Sequence, residues 1–246
     1  MSKEWIGSVR ACGTASFDKS NVSEFRASVQ SKLSSRSLTV NLRHVDDQGV
    51  AAVAAMLDAT EDCAPHSFNE WGVVAAPRTP GREIITASLN RYATDGAWGV
   101  SPQIIPNYSL HSMSGLLSVA FKLAGPNLGI GGIEGREADV FLASMALLSS
   151  NTLKGVWAVM TGWQPANLDA PNAVCRAVAL AIDSSANCDS TLRLSMYGGR
   201  GEKFSLESFY SMMASAIPGQ ECRWTLPGGG TITWQDQIEA PLRMAA

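Results

Sequence analysis

The sequence has few of the residues that build metal centres. It contains three histidines and five cysteines in 246 residues, and no two cysteines are spaced as Cys-x-x-Cys. Zinc sites need clustered thiolate and imidazole ligands, so we expect no bound metal. An odd number of scattered cysteines is typical of buried free thiols: Cys12, Cys63, Cys175, Cys188 and Cys222.

A strong excess of one charge and long hydrophobic runs are also missing. The formal net charge is −3, and no run of basic residues would attract nucleic acid. The most apolar stretches, residues 50–57 and 140–148, are too short to cross a bilayer. Residues 1–10 carry charges and lack the apolar core of a secretory signal. We therefore expect a cytoplasmic protein with no nucleic-acid partner and no membrane insertion.

The sequence does contain an alternation of short apolar runs and amphipathic segments. With 46% hydrophobic and 17% charged residues, the chain can form one domain with a sizeable core. Strands are predicted at residues 5–12, 71–76 and 155–161, and a short strand or a turn at 128–132. Residues 174–183 are predicted as a strand, with a helix as the alternative. Helices are predicted at residues 22–33, 46–58, 84–91, 110–123, 136–148 and 204–217. This alternation indicates an α/β fold with layered helices and a mostly parallel, buried sheet.

The C-terminal part of the sequence divides at a glycine-rich turn, residues 198–201. Residues 192–197 are predicted to pair with the strand at 174–183, and residues 225–234 to form a second hairpin or a loop. We assign residues 1–197 to the main domain and residues 198–246 to a divergent extension that packs on the same domain.

The run GIGGIEG at residues 129–135 resembles a nucleotide-binding loop but lacks its chemistry. Glu134 stands where a G-x-G-x-x-G fingerprint has its third glycine, and the run has no phosphate-binding lysine. A carboxylate inside such a loop would repel phosphate. We expect no nucleotide and no other cofactor.

Side chains for nucleophilic catalysis are equally sparse. No serine lies in a G-x-S-x-G elbow, and no histidine lies close to Glu134 in the sequence. His111 could act as a general base, or it could make a structural hydrogen bond. Because a single histidine without catalytic partners is seldom catalytic, the structural role is favoured.

A wider pattern surrounds Glu134. Ser101-Pro102 and Ile105-Pro106 precede a helix, and a Gly-Pro-Asn turn at residues 125–127 leads to the glycine-rich run. In order and spacing, this pattern resembles the N-terminal half of ketosynthases of the thiolase-like fold, over residues 3–197. The resemblance identifies the motif residues as Gly115, Gly125, Pro126, Gly132 and Gly135.

The resemblance also implies where a nucleophile would stand. Ketosynthases carry a cysteine there, at the tip of a helix whose N-terminus and backbone N–H groups activate the thiolate. That position is Glu134 here, and a carboxylate is a poor acyl carrier. The family's second half, with its two active-site histidines, has no counterpart after Tyr197. We expect a pseudoenzyme that has no catalytic residue and performs no condensation alone.

Ketosynthases are dimers, and some partners that have lost the cysteine serve as chain length factors. The chain resembles the truncated form found in bacterial aryl-polyene and type II polyketide pathways. The resemblance implies a heterodimer with a full-length ketosynthase in polyketide or fatty acid biosynthesis, with an acyl carrier protein involved only indirectly. The residues that would shape the acyl tunnel at the dimer interface are Pro106, His111, Met113, Leu116 and Leu117. Ordinary core or homodimer packing is the alternative for these side chains.

Two further functions stay open. Decarboxylating relatives have a glutamine at the cysteine position, so Glu134 could support weak malonyl-thioester decarboxylation if it were protonated. The other alternative is a homodimeric scaffold or binding protein derived from a ketosynthase, in which Glu134 caps the helix at 136–148.

Overall fold

Strands and helices alternate along most of the chain in the computed structural model. The structure describes residues 4–61, 68–150, 152–165, 170, 172–183, 190–195, 200–215 and 221–236. The strands are β1 (Glu4–Asp18), β2 (Gly72–Pro77), β3 (Asn127–Gly129), β4 (Val156–Gln164), β5 (Val174–Asp183), β6 (Ser190–Ser195), β7 (Glu202–Lys203), β8 (Glu221–Thr225) and β9 (Thr231–Asp236). The helices are α1 (Val22–Ser35), α2 (Asp47–Ala59), α3 (Arg82–Asp95), α4 (Ile104–Tyr108), α5 (Leu110–Phe121), α6 (Asp139–Leu148) and α7 (Leu206–Ser215).

All nine strands of the described residues belong to one sheet, in the order β3-β2-β4-β5-β1-β6-β9-β8-β7. Only β2 with β3, β2 with β4, and β7 with β8 are parallel, and the other five pairs are antiparallel. The predicted α/β class is confirmed, but the prediction of a mostly parallel sheet is wrong. A strand buried on both faces has a continuous apolar sequence in either direction, so hydrophobicity does not report strand direction.

The sheet separates two hydrophobic cores because successive side chains of a strand point to opposite faces. In β2, Val73 and Ala75 face the core that contains α1, α2 and α5. Val74 and Ala76 face the core that contains α6 and α7. This makes a layered domain in which β2 and β4 are buried on both faces.

Helix α2 packs closely against β1 because both surfaces carry small residues. A Cβ atom at Gly13 would lie 2.2 Å from the carbonyl oxygen of Ala55. Asp46 caps the helix by accepting a hydrogen bond from the Gln48 backbone N–H at 2.9 Å, and it also accepts one from the Gly81 N–H at 2.9 Å. The cap therefore fixes α2 to the chain that follows β2.

The C-terminal strands extend the same sheet. β6 pairs with β1 and β9, so the predicted hairpin between residues 192–197 and β5 is wrong. The reason is the length of β1, whose 15 residues pair first with β6 and then with β5. The predicted hairpin at 225–234 is confirmed as β8 and β9. Phe209 of α7 lies in the same core as α6, so α7 packs on the main domain. The domain boundary at residue 197 stays a prediction.

Candidate functional site

The candidate site is the loop at residues 130–138, which joins β3 to α6 and is called the 130–138 loop below. Backbone hydrogen bonds attach it to the end of β2. The N–H of Ile130 donates to the carbonyl of Ala75 at 2.9 Å, and the N–H of Gly132 donates to that of Pro77 at 3.1 Å. The Thr79 N–H donates in turn to the Gly132 carbonyl at 3.1 Å. The path of this loop is therefore set by the strand beside it.

Two of the motif glycines have a clear steric role. Gly132 has a φ of +92°, and an added Cβ would lie 3.0 Å from Leu110. Gly125 precedes β3, and a Cβ there would lie 2.7 Å from the backbone of Trp71. The Gly-Pro turn thus brings β3 against β2, and Gly132 lets the loop pass close to α5.

Glu134 lies in a turn of the loop and not at the start of a helix. Gly135 has a φ of +80°, which is not a helical conformation, and α6 begins only at Asp139. The predicted helix start at residue 136 and the predicted capping of that helix by Glu134 are therefore wrong. The Glu134 side chain is 71% exposed, and its Oε1 lies 4.0 Å from Nη1 of Arg78.

Arg78 forms the polar centre beneath this loop. It follows the last residue of β2, and its side chain is only 4% exposed. Its Nε donates to Oε1 of Glu137, which is 1% exposed, and its Nη1 donates to Oε1 of Glu207 at 3.0 Å. Glu207 belongs to α7, so the guanidinium connects the loop to the C-terminal part of the chain.

The backbone of Arg78 is held as firmly as its side chain. Its N–H donates to the carbonyl of Thr161 at 2.8 Å. The Gln48 amide donates to the Arg78 carbonyl at 2.7 Å and accepts from the Arg78 N–H at 3.2 Å. Gln48 and Thr161 are buried and hydrogen-bonded to each other at 3.0 Å. These polar groups satisfy one another inside the core.

The charge of Arg78 is maintained by its neighbours. Burial alone would lower the pKa of its guanidinium, but the charges and hydrogen bonds of Glu137 and Glu207 outweigh burial and raise that pKa above its ordinary value. Oε2 of Glu137 is buried without a hydrogen-bond partner among the described groups. Removal of Arg78 would leave Glu137 buried and unpaired, and removal of Glu137 would leave the buried guanidinium with Glu207 as its one close carboxylate, which is costly.

A cavity of about 540 Å³ lies beside the site, between the N-terminus of α2 and helices α4 and α5. Most of its wall is apolar, and Asp46, Asn107, Ser109 and Ser112 add polar groups. The structure brings together at this cavity five of the sequence-predicted residues: Pro106, His111, Met113, Gly115 and Leu116. Leu117 is fully buried in the core and does not border the cavity.

His111 is an exposed residue at the start of α5. Its Nδ1 lies 3.3 Å from Oγ of Ser114, and that hydroxyl also donates to the His111 carbonyl at 3.0 Å. These contacts fit the structural interpretation of His111.

Exposed large apolar side chains are concentrated in one part of the chain. Nine of the ten such side chains among the described residues lie between residues 84 and 133, here called the apolar segment. They are Ile84, Leu89, Tyr92, Trp98, Ile105, Leu110, Val119, Leu128 and Ile133. Helix α3 has no buried residue, and β3 is one of the two edge strands of the sheet. Ile105 and Val119 of this segment border the same cavity, and exposed apolar side chains that lie together mark interaction sites.

The described cysteines offer no activated nucleophile. Cys12, Cys175 and Cys222 are free. Burial raises the pKa of the Cys175 thiol well above its ordinary value, and partial burial with the nearby Glu202 and Glu221 raises that of Cys222. The Cys12 Sγ lies 3.2 Å from Sδ of Met213, and desolvation by such neighbouring atoms, with the charge of Asp58, raises the pKa of this thiol too. Cys175 is buried as predicted, but Cys12 is an exposed residue and Cys222 only partly buried. Cys63 and Cys188 lie outside the described residues.

The described residues also lack a metal-binding cluster and a membrane-spanning helix. Among the described residues, no three side chains of His, Cys, Asp or Glu lie close enough together to bind a metal ion. In the same part of the chain, each helix is too short or too polar to span a bilayer.

The sequence did not reveal the ion cluster. Arg78 after a buried strand is a weak signal that could have been noticed. Its partners Glu137 and Glu207 are 59 and 129 residues away, and nothing in their local sequence marks them.

Comparison with known proteins places the fold. No protein-family model and no curated protein sequence matches the chain. A solved structure described as the ishigamide ketosynthase/chain length factor has a TM-score of 0.60 at 11% identity, covering 93% of this chain and 98% of that chain. A ketosynthase in complex with its chain length factor from Xenorhabdus doucetiae has a TM-score of 0.53 at 12% identity, covering 93% and 99%.

A third structure contains a type II polyketide synthase acyl-carrier protein in complex with its ketosynthase. It has a TM-score of 0.50 at 13% identity, and the match covers 74% of this chain and 63% of that chain, which is less than two thirds of its length. The chain therefore has the thiolase-like fold of ketosynthases and chain length factors, as the sequence predicted.

Proposed function

We propose that this chain is a non-catalytic, chain-length-factor-like subunit. It pairs with an active ketosynthase in polyketide or fatty acid biosynthesis of the aryl-polyene type and shapes the acyl tunnel of that partner. The observation that carries the proposal is the apolar segment, which includes Ile105 and Val119 of the cavity wall and Leu128 of the edge strand β3. On this fold, such a surface is suited to a partner of the same class.

The site at residue 134 supports a non-catalytic role. Condensation needs a thiolate that carries the acyl group, and the carboxylate of Glu134 is exposed and near a guanidinium that already binds two other carboxylates. The described cysteines have raised pKa values, which keeps them protonated. The chain therefore contributes shape to its partner and not a reacting group.

The cavity supports a role in chain length. Its apolar wall includes Pro106, Met113 and Leu116, and it reaches the surface beside the exposed Ile105 and Val119. A partner seated on the apolar segment would extend its own acyl tunnel against this wall. The volume left by the wall then limits the acyl chain that fits.

The first test is coexpression with the ketosynthase encoded nearest to this gene, followed by size-exclusion chromatography with mass detection. We expect a stable one-to-one complex. A homodimer that binds none of the candidate ketosynthases would contradict the proposal and favour the alternative of a ketosynthase-derived scaffold. Malonyl-thioester decarboxylation by the isolated chain that is lost in Glu134→Ala would favour the third function instead.

The second test concerns product length in the complex. Leu116→Phe adds volume to the cavity wall, so we expect shorter acyl products by mass spectrometry. The matched control is Ile6→Phe, which changes an exposed side chain on β1 outside the apolar segment. Equal product lengths from the two variants would show that the cavity wall does not set chain length.

A further inference from the structure

Arg78 joins segments that are far apart in sequence. Its guanidinium binds Glu137 of the 130–138 loop and Glu207 of α7, and Nη1 also lies 3.4 Å from the carbonyl of Trp163 in β4. β4 leaves room for it, because a Cβ at Gly162 would lie 3.1 Å from the Arg78 side chain. No other described side chain bonds both the loop and α7.

The ion pair between Arg78 and Glu207 can be removed by substitution without unfolding α7. Leu206, Phe209 and Met213 anchor α7 in the core, whereas Glu207 is 22% exposed at its rim. Loss of the Glu207 carboxylate therefore removes the connection and leaves the apolar packing of α7 in place.

The loop in turn carries part of the apolar segment. Ile133 is 61% exposed, and Gly132 passes against Leu110, which is 36% exposed. A shift of the 130–138 loop would move Ile133 and change how closely Gly132 lies against Leu110 of α5.

We propose that Arg78 is a positioning residue through which α7 sets the conformation of the 130–138 loop, and with it the partner-facing surface at Ile133 and Leu110. The second part of this inference rests on the proposed pairing with a ketosynthase. The C-terminal segment is then the support that gives the loop its shape. The charges of Arg78, Glu137 and Glu207 interact at short range in the interior, where water screens them little.

The test is amide hydrogen exchange of the isolated chain carrying Glu207→Ala. We expect exchange in residues 131–137 to become about tenfold faster, because Arg78 loses one of its two close partners. Exchange in the central strand β5 should stay unchanged. The control is Glu221→Ala, which removes an exposed ion pair with Arg223 at 3.6 Å in β8. Unchanged exchange in 131–137, or the same increase in the control, would overturn the proposal.

A second variant guards against general destabilisation. Glu207→Gln keeps an oxygen that can accept the Arg78 hydrogen bond but loses the charge, so we expect an intermediate rate in 131–137. If β5 accelerates as much as the loop in both Glu207 variants, α7 stabilises the whole domain and the proposal is wrong.

The contribution of the Arg78–Glu207 ion pair to partner binding is measured in a separate experiment. In Glu207→Ala, we expect affinity for the ketosynthase to fall about fivefold, as expected when a coupled element is loosened. A faster loop with unchanged affinity would overturn the surface part of the inference. If the wild-type chain binds no ketosynthase while the loop still responds to Glu207→Ala, the proposed function fails and the positioning role of Arg78 stands.

Discussion

Glu134 and Glu137 belong to the same loop and meet the same arginine, yet their environments are opposite. Glu134 is 71% exposed and 4.0 Å from Arg78, whereas Glu137 is 1% exposed and bonded directly to it. Water screens the first pair, so it stabilises the fold little. The second pair has lost its water and depends on its partner. Residue identity alone does not distinguish the two.

This difference predicts the result of one substitution at both positions. Glu137→Gln should lower the free energy of unfolding by about 3 kcal/mol, because Arg78 is left buried with one close carboxylate. Glu134→Gln should change it by less than about 1 kcal/mol. Urea unfolding of the two variants beside the wild type measures both values. Equal changes in the free energy of unfolding would show that the buried ion pair of Glu137 stabilises the fold no more than the exposed pair of Glu134.

Sequence spacing predicts that residue 134 stands at the nucleophile position of ketosynthases, but it does not predict how exposed Glu134 is or that Arg78 lies near it. Spacing along the chain is a local property. The meeting of Arg78 with Glu207 depends instead on how β2, β4 and α7 are arranged, over 129 residues of sequence. Ion pairs of this kind follow from the finished fold and could not be predicted before it.

At the scale of elements, two glycines show how helices are fitted to their surroundings. Gly13 lies under α2, where a Cβ would lie 2.2 Å from a backbone oxygen of Ala55. Gly115 lies inside α5 and borders the cavity, where a Cβ would meet no atom within 4 Å. The first glycine is required by packing within the chain. The second has no steric reason within the described residues.

The same substitution should therefore have opposite effects at the two sites. Gly13→Ala should destabilise the chain by about 3 kcal/mol, because backbone atoms of α2 must move. Gly115→Ala should stabilise it by about 0.5–1 kcal/mol, since alanine favours a helix interior. Thermal unfolding of the isolated variants measures both. A destabilising Gly115→Ala would reveal a close neighbour of α5 that the structure does not show.

The elements themselves were largely predictable, because apolar periodicity reports burial and local geometry. β2, β4, β5 and α2 begin and end within a few residues of their predicted bounds. Strand direction and partner choice were not predictable. β4 and β5 are adjacent and antiparallel, and β1 separates β5 from β6, which periodicity in the sequence does not record.

On the scale of the whole molecule, the surface is divided unevenly. The exposed large apolar side chains lie in the apolar segment, with Ile6 as the exception among the described residues. Trp98 is 98% exposed and so contributes almost nothing to the stability of the isolated chain. Aromatic residues of this kind carry much of the binding energy in protein interfaces.

Trp98 should therefore contribute to binding of the ketosynthase and not to the stability of the isolated chain. Trp98→Ala should weaken binding to the ketosynthase by about 2 kcal/mol, or about thirtyfold, with no change in unfolding. Ile6→Ala is the control, and its affinity should equal that of the wild type. Isothermal titration calorimetry with the purified partner compares them. If both variants bind as the wild type does, Trp98 lies outside the contact.

The place of β1 in the sheet has a consequence for synthesis of the chain. β1 leaves the ribosome before the other strands of the described residues, but its two neighbours are residues 174–183 and 190–195. It stays without these two partners until residues 174–195 have been made, because pairing over such separations comes late in folding. The nascent chain therefore exposes an open strand while the residues between β1 and β5 are translated, which is the period when molecular chaperones would protect it from aggregation.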